Sequence, residues 1–184
     1  MAYLSCMPSK AMLRSAQARN TAKKLVTLGG ASQSVQLDDD VEAFAWAAAR
    51  RDRIAEFRDD SGAAASAIRA GVELYRESGV FTGADRISVG QNEINWTDLV
   101  LATGSNSTIP KIDGLDGIEF WSSDVALSAP ERPSSVLIVG GGPVGCELAQ
   151  IFSRFGVETT IVQFSAQLAG KGAPQKWQPD SRKT

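Results

Sequence analysis

A chain of 184 residues with 43% hydrophobic and 22% charged content is long enough for one substantial core or two small ones and too apolar for a disordered chain. A net charge of −2 and a pI near 5.2 give no electrostatic ground for nucleic-acid binding, and no apolar run reaches membrane-spanning length, so small-molecule partners are expected. Histidine is absent and the thiols are limited to Cys6 and Cys146, which argues against a metal site or a disulfide framework; with no secretory signal, a reducing, cytoplasmic setting is expected.

The opening stretch MAYLSCMPSKAMLRSAQARNTAKKLVTL predicts a helix: Ser5 is a candidate cap, Pro8 suits a first turn, good helix formers follow, and Gly29 and Gly30 stop it. Cys6 then sits at a helix N-terminus one turn from the Lys10 cation, the setting of a reactive thiol. Two other readings stand beside it, a buried structural cysteine and an organelle transit peptide, since no acid precedes Asp38. After a polar connection over residues 35–40, DDDVEAFAWAAARRDRIAEFRDD predicts a second helix, with acids at its positive end and Val41, Phe44, Ala48 and Ala55 on its buried side. Arg50, Arg51 and Arg53 alternate with Asp52, Glu56 and Asp59 and read as a solvated face rather than an anion site.

AAASAIRAG predicts a short helix ended by Gly71, and residues 72–75 a strand. VFTG, RISV, INW and DLVLATG follow as short strands with a turn at residues 90–92, a small antiparallel insertion that returns to the main sheet at LVLATGS, residues 99–105. Residues 109–116 form a linker, Ser122 or Ser123 caps a brief helix through Leu127, and Pro130 and Pro133 hold the approach to the next strand.

That next stretch, VLIVGGGPVGCELAQIFSRFGVETTIVQ, carries the strongest pattern. A β-branched strand at residues 136–139 runs into Gly140, Gly142 and Gly145 in G-x-G-x-x-G order, and a helix follows with Leu148, Ile151, Phe152 and Phe155 on one face, stopping at Gly156 before a strand at residues 159–162. In such a unit the first glycine allows the tight turn, the second lets backbone approach a pyrophosphate, the third brings helix against strand, and the free N–H groups of the helix start attract phosphate. Dinucleotide binding is the expected use. Gln163 stands where an acid would hold a ribose 2′-OH; an amide bonds ribose hydroxyls without repelling a 2′-phosphate, so NAD and NADP both remain open. Beyond Gln163 no period continues, and a mobile tail is expected.

The wording SCMPSKAMLRS resembles the redox-active segment of the FAD-dependent pyridine nucleotide-disulfide oxidoreductases, the family of dihydrolipoamide dehydrogenase, glutathione reductase and mercuric reductase. There the segment reads C-x-x-x-x-C-x-P-S-K, so Cys6, Pro8, Ser9 and Lys10 match its second half, and Met1 stands where the substrate-exchanging cysteine would be. The resemblance implies that Cys6 is the charge-transfer thiol beside the flavin, Lys10 the lysine near flavin N5, and Glu147 the glutamate near the nicotinamide, paired with Lys10 across a domain boundary. It also implies that Thr103, Gly104 and Ser105, in the A-T-G-S wording, pass close to the flavin.

The resemblance runs over residues 1–163 and implies an α/β chain of partial FAD- and NAD(P)-binding Rossmann-type domains in three layers, without the first FAD βαβ unit or the C-terminal dimerisation domain. Residues 1–110 would be part of the FAD domain, 111–165 the start of the NAD(P) domain, and 166–184 a disordered or aberrant tail. The implied cofactors are FAD and NAD or NADP, and the implied reaction passes electrons from NAD(P)H through flavin to a disulfide or similar small acceptor, in a family of homodimers that uses neither nucleic acid nor membrane. Lacking the first FAD strand, residues 72–75 and 99–103 would be short of strand partners and expose apolar surface, with weak flavin retention and an impaired, poorly soluble chain as the expectation. A non-catalytic dinucleotide-binding module and a single-thiol redox sensor at Cys6 are the alternatives.

Overall fold

A computed structural model describes residues 6–164 and 168. They fall into two compact units, one built from the segments up to Arg58 and from Ser107 onward, the other from Asp59–Asn106.

In the first unit, strand β4 (Ser135–Val139), helix α5 (Pro143–Arg154) and strand β5 (Glu158–Val162) form a βαβ unit whose strands pair in parallel from Ser135↔Glu158 to Val139↔Val162. The apolar face of α5 does what its spacing predicts: Leu148, Ile151, Phe152 and Phe155 are buried, with Val136 and Ile138 of β4 packed beneath them. Against α5 lie α1 (Met7–Lys23), contributing Met12 and Ala16, and α2 (Asp40–Ile54), contributing Phe44, Ala47 and Ala48. Phe44 is the centre of this core, 6.3 Å from Phe152 in a stacked pair and 5.4 Å from Phe155 edge to face. The opposite face of the sheet, with Leu137, Val139 and Val162, is exposed.

Helix α2 begins where the acids predict. Asp39 caps it, accepting from the N–H groups of Val41 and Glu42 at 2.8 Å each. Asp40 in the next position accepts from Arg19 at 2.8 Å and Lys23 at 3.1 Å, which ties α2 to the end of α1 and, through the Arg19 guanidinium first, lowers the Asp40 pKa from its ordinary value. Helix α1 stops at Lys23 and continues as turns to Gly29, which has φ 71°. Ser5, the expected cap, lies outside the described residues.

Two expectations for α2 need correction. Val41 is 60% exposed, not part of the packed side. Arg51 is not on a solvated face: it is 1% exposed, donates from Nη1 to the Ala129 carbonyl at 2.8 Å, and clasps Asp52 with Nε and Nη2, both at 2.9 Å. Arg53 is exposed as expected, while Arg50 is half-buried and donates to the Ala11 carbonyl at 3.1 Å.

After α2, Glu56, Phe57 and Arg58 all take positive φ, of 49°, 52° and 62°. Left-handed backbone costs a residue with a Cβ roughly 1–2 kcal/mol, and the 72%-exposed Phe57 ring recovers little of it by packing. Phe57→Gly is therefore expected to raise stability by about 0.5–1 kcal/mol in urea unfolding; an unchanged or lower midpoint would show that the segment is not held in this conformation.

The second unit holds helix α3 (Ser61–Arg69) and an antiparallel meander of β1 (Gly79–Phe81), β2 (Arg86–Val89) and β3 (Asn92–Asn95). Its registers, Val80↔Ser88 and Ile87↔Ile94, and its tight turn at Gly90, φ 59°, are those expected of short strands split by turn residues. Residues 72–75 and 99–105, read from the sequence as strands, are not strands, while the shortage of partners and the apolar exposure expected of 72–75 and 99–103 are both found. Apolar composition favours a strand only where a neighbour supplies hydrogen bonds, and the described residues form no further strand to pair with these. Val72, Leu74, Val100 and Leu101 are left exposed, Val100 by 87%. Among the described residues no helix is long and apolar enough to cross a membrane. The remaining helix, α4 (Ser123–Ala126), follows Ser122 as predicted.

Candidate dinucleotide-binding loop and thiol helix

Strand β4 ends when the Gly140 N–H bonds the Val162 carbonyl at 2.8 Å, and Gly140 then turns the chain with φ 110°, a conformation L side chains rarely adopt. Gly142 is the N-cap of α5, Pro143 follows in the first turn, and the first intrahelical bond runs from the Cys146 N–H to the Gly142 carbonyl at 2.9 Å. The N–H groups of Val144 and Gly145 precede that bond and stand at the positive end of the helix, where an anion is favoured. A Cβ on Gly145 would run into the Gly140 carbonyl oxygen, and would meet Ile138 Cγ2 at 3.3 Å. A Cβ on Gly142 would meet nothing within 4 Å. The three glycines thus serve the three distinct purposes of turn, open approach and close packing, and the cradle fits a pyrophosphate.

Gln163 turns back to the loop, its Oε1 accepting from the Gly141 N–H at 2.8 Å. This tie was not foreseen from its position at the ribose end of β5. Cys146 is half-buried beside the loop and donates weakly to the Gly141 carbonyl, Sγ to oxygen 3.4 Å.

Cys6 is exposed immediately before α1, with Pro8 buried in the first turn. Lys10 is exposed and makes no ion pair with Glu147, which corrects the expected pairing. Glu147 is instead bonded by Ser9, whose hydroxyl donates to Oε2 at 2.6 Å. Ser9, Met12 and Ala16 recur at helical spacing and form the buried stripe of α1, whereas Lys10 lies about 100° around the helix from Ser9. That stripe was the signal that sequence reasoning passed over. Thr103, Gly104 and Ser105 belong to the second unit, in exposed backbone without regular structure, Gly104 having φ 77°. They do not open a helix as the glycine loop does, so these three residues lack its N–H cradle and do not by themselves fit an FAD pyrophosphate.

A glycine turn that opens a helix against a parallel strand is the local architecture of a Rossmann-type nucleotide-binding unit, and α1, which begins directly after Cys6, packs on it. The family model described as pyridine nucleotide-disulphide oxidoreductase matches residues 1–182, and the chain belongs to that family. It is 29% identical over 174 residues to a mercuric reductase of Bacillus cereus and 31% identical over 165 residues to a dihydrolipoyl dehydrogenase of Acholeplasma laidlawii. Those alignments cover 94% and 86% of this chain but only 26% and 47% of the relatives, so the chain spans between a quarter and a half of their length. Its fold is that of part of the HOCl-induced flavoprotein disulfide reductase RclA of Escherichia coli, with a TM-score of 0.68 at 22% identity over 90% of this chain and 33% of that one. The α/β, Rossmann-type architecture expected from the sequence is thereby established for the length the chain spans.

Proposed function

We propose that the chain is the nicotinamide-dinucleotide-binding and thiol-bearing portion of an oxidoreductase that passes electrons from NAD(P)H, by way of FAD, to a disulfide or similar small acceptor. The observation that carries this reading is the glycine loop, in which Gly145 is pressed on the Gly140 carbonyl while Gly142 is left open to an approaching ligand. In this reading the loop and the Val144 and Gly145 N–H groups hold the pyrophosphate, Gln163 lies toward the ribose, and Cys6 and Lys10 present a thiol and a cation from the exposed start of α1. FAD, where bound, would supply the two-electron relay between nicotinamide and thiol. Its binding rests on the family resemblance at Cys6, Lys10 and residues 103–105, not on a cradle formed by the described residues. The relatives' names differ in acceptor, so dihydrolipoamide-type disulfides and mercuric ion are alternative substrates for the whole protein.

A reading as a dinucleotide-binding module without catalysis is favoured by the same loop, which stands without any contribution from Cys6 or Lys10. An absorbance spectrum of the purified chain, before and after FAD and then NADH or NADPH, separates the two. A flavin band that bleaches on reduction is the outcome expected of the oxidoreductase. Nicotinamide binding with no flavin band reduces the function to the module, and no binding of either cofactor refutes both.

A further inference from the structure

Two buried polar side chains stand out among the described residues, Arg51 and Ser9. Arg51 is accounted for by its contacts within the framework of the first unit. Ser9, 7% exposed, is different, because its 2.6 Å bond reaches a carboxylate on the phosphate-loop helix. An O–H···O distance this short is that of a strong hydrogen bond. The bond links the two helices near their N-terminal ends: Ser9 is the third residue of α1, and Glu147 lies two beyond Gly145, in the second turn of α5.

We infer that Ser9 is a positioning residue that holds the Glu147 carboxylate on α1 and so keeps it away from the anion-binding end of α5. This rests on the dinucleotide-binding reading of the loop. The physical ground is competition for one positive field. Side chains on a helix lean toward its N-terminus, so a Glu147 carboxylate released from Ser9 tilts toward the Val144 and Gly145 N–H groups that would receive the pyrophosphate. There it is attracted by the same helix end and repels the incoming phosphates. Anchored by Ser9, the carboxylate is instead held against the first turn of α1 by the hydroxyl bond at 2.6 Å.

The test is a double-mutant cycle on the full chain with NADH and NADPH as probes, followed by cofactor fluorescence. Ser9→Ala is expected to weaken binding by about three- to tenfold, and Ser9→Thr, which keeps the hydroxyl, to bind within about twofold of the parent. In a Glu147→Gln background Ser9→Ala should have almost no effect, because no charge remains to be held. An equal loss in both backgrounds would mean that Ser9 merely packs, and would overturn the inference. Urea unfolding of the same four proteins gives a readout independent of cofactor. A coupling of about tenfold in the unfolding constant between Ser9→Ala and Glu147→Gln is expected, and coupling below about twofold overturns the anchoring itself. If the parent binds neither cofactor, the dinucleotide reading fails, and with it the role of the anchor in ligand binding, whatever the unfolding cycle returns.

Discussion

Gly145→Val should abolish dinucleotide binding and destabilise the first unit by about 3 kcal/mol, the upper range for forcing extra atoms into a packed site. The new Cβ coincides with the Gly140 carbonyl oxygen and presses on Ile138, and neither a backbone oxygen in a tight turn nor a β-branched side chain in a strand can swing aside. Helix α5 must therefore lift from β4, which opens the contacts of Leu148 and Ile151 with the strand below. Gly142→Ser is the informative companion. Gly142 has φ −72°, serine is a good N-cap, and its Cβ meets no protein atom, so the folded state should stay within about 0.5 kcal/mol of the parent. The side chain stands where a pyrophosphate would approach, and NADH or NADPH affinity should fall by about tenfold or more. Thermal melts and cofactor titrations of both variants decide the matter. Undiminished binding by Gly142→Ser would show that the loop is a structural turn and not a phosphate cradle.

The βαβ unit was legible because its constraints are local and steric. A glycine that must admit a carbonyl oxygen, a proline in a first turn and an apolar stripe of period 3.6 leave few alternatives, and Gly140 to Phe155 satisfy all three. The meander was legible for a similar reason, its turn residues lying between short β-prone runs. What failed depended on partners elsewhere in the chain. Residues 72–75 and 99–105 have strand-like composition, but composition does not supply a neighbouring strand, and both remain unpaired with Val72 and Val100 exposed.

The two side-chain surprises have another origin. Arg51 was assigned by its charge, yet it follows Phe44 by seven residues and Ala47 by four, which places it on the buried stripe; the helical period outweighed the composition. Lys10 drew attention as the charged partner for Glu147, while the less conspicuous Ser9 occupied the inward position with Met12 and Ala16. In both cases rotation about the helix axis, rather than residue type, decided which side chain faced the core.

Asp52→Ala should cost about 3 kcal/mol, more than expected of a partly exposed acid, because of what it leaves behind. The Arg51 side chain is 2% exposed, and without Asp52 its guanidinium would retain one neutral acceptor, the Ala129 carbonyl, for a charge removed from water. Arg58, which donates to Asp52 at 3.3 Å and to Ser128 Oγ at 2.8 Å, would lose its link to the same group. Arg51→Met should cost less, about 1–2 kcal/mol, since an apolar chain fills the site and the stranded groups are the Ala129 carbonyl and a carboxylate that keeps Arg58 and solvent. The pair also sets an acid limb. The hydrogen-bonded Arg51 guanidinium holds the Asp52 pKa below its ordinary value against the opposing effect of burial, so near that value the unfolded chain binds more protons than the folded one. The resulting stabilisation is complete above the unfolded value of roughly 3.9 and is lost as pH falls through the lower, folded value. Urea unfolding between pH 5 and pH 2 should accordingly show a steep acid decline in the parent and a shallower one in Asp52→Ala, with Asp40, Asp59 and Asp124, all lowered in the same direction, contributing to the slope that remains. Parallel declines in the two proteins would mean that the Arg51–Asp52 pair carries no net charge stabilisation, and the cost of the substitution would then be the stranded arginine alone.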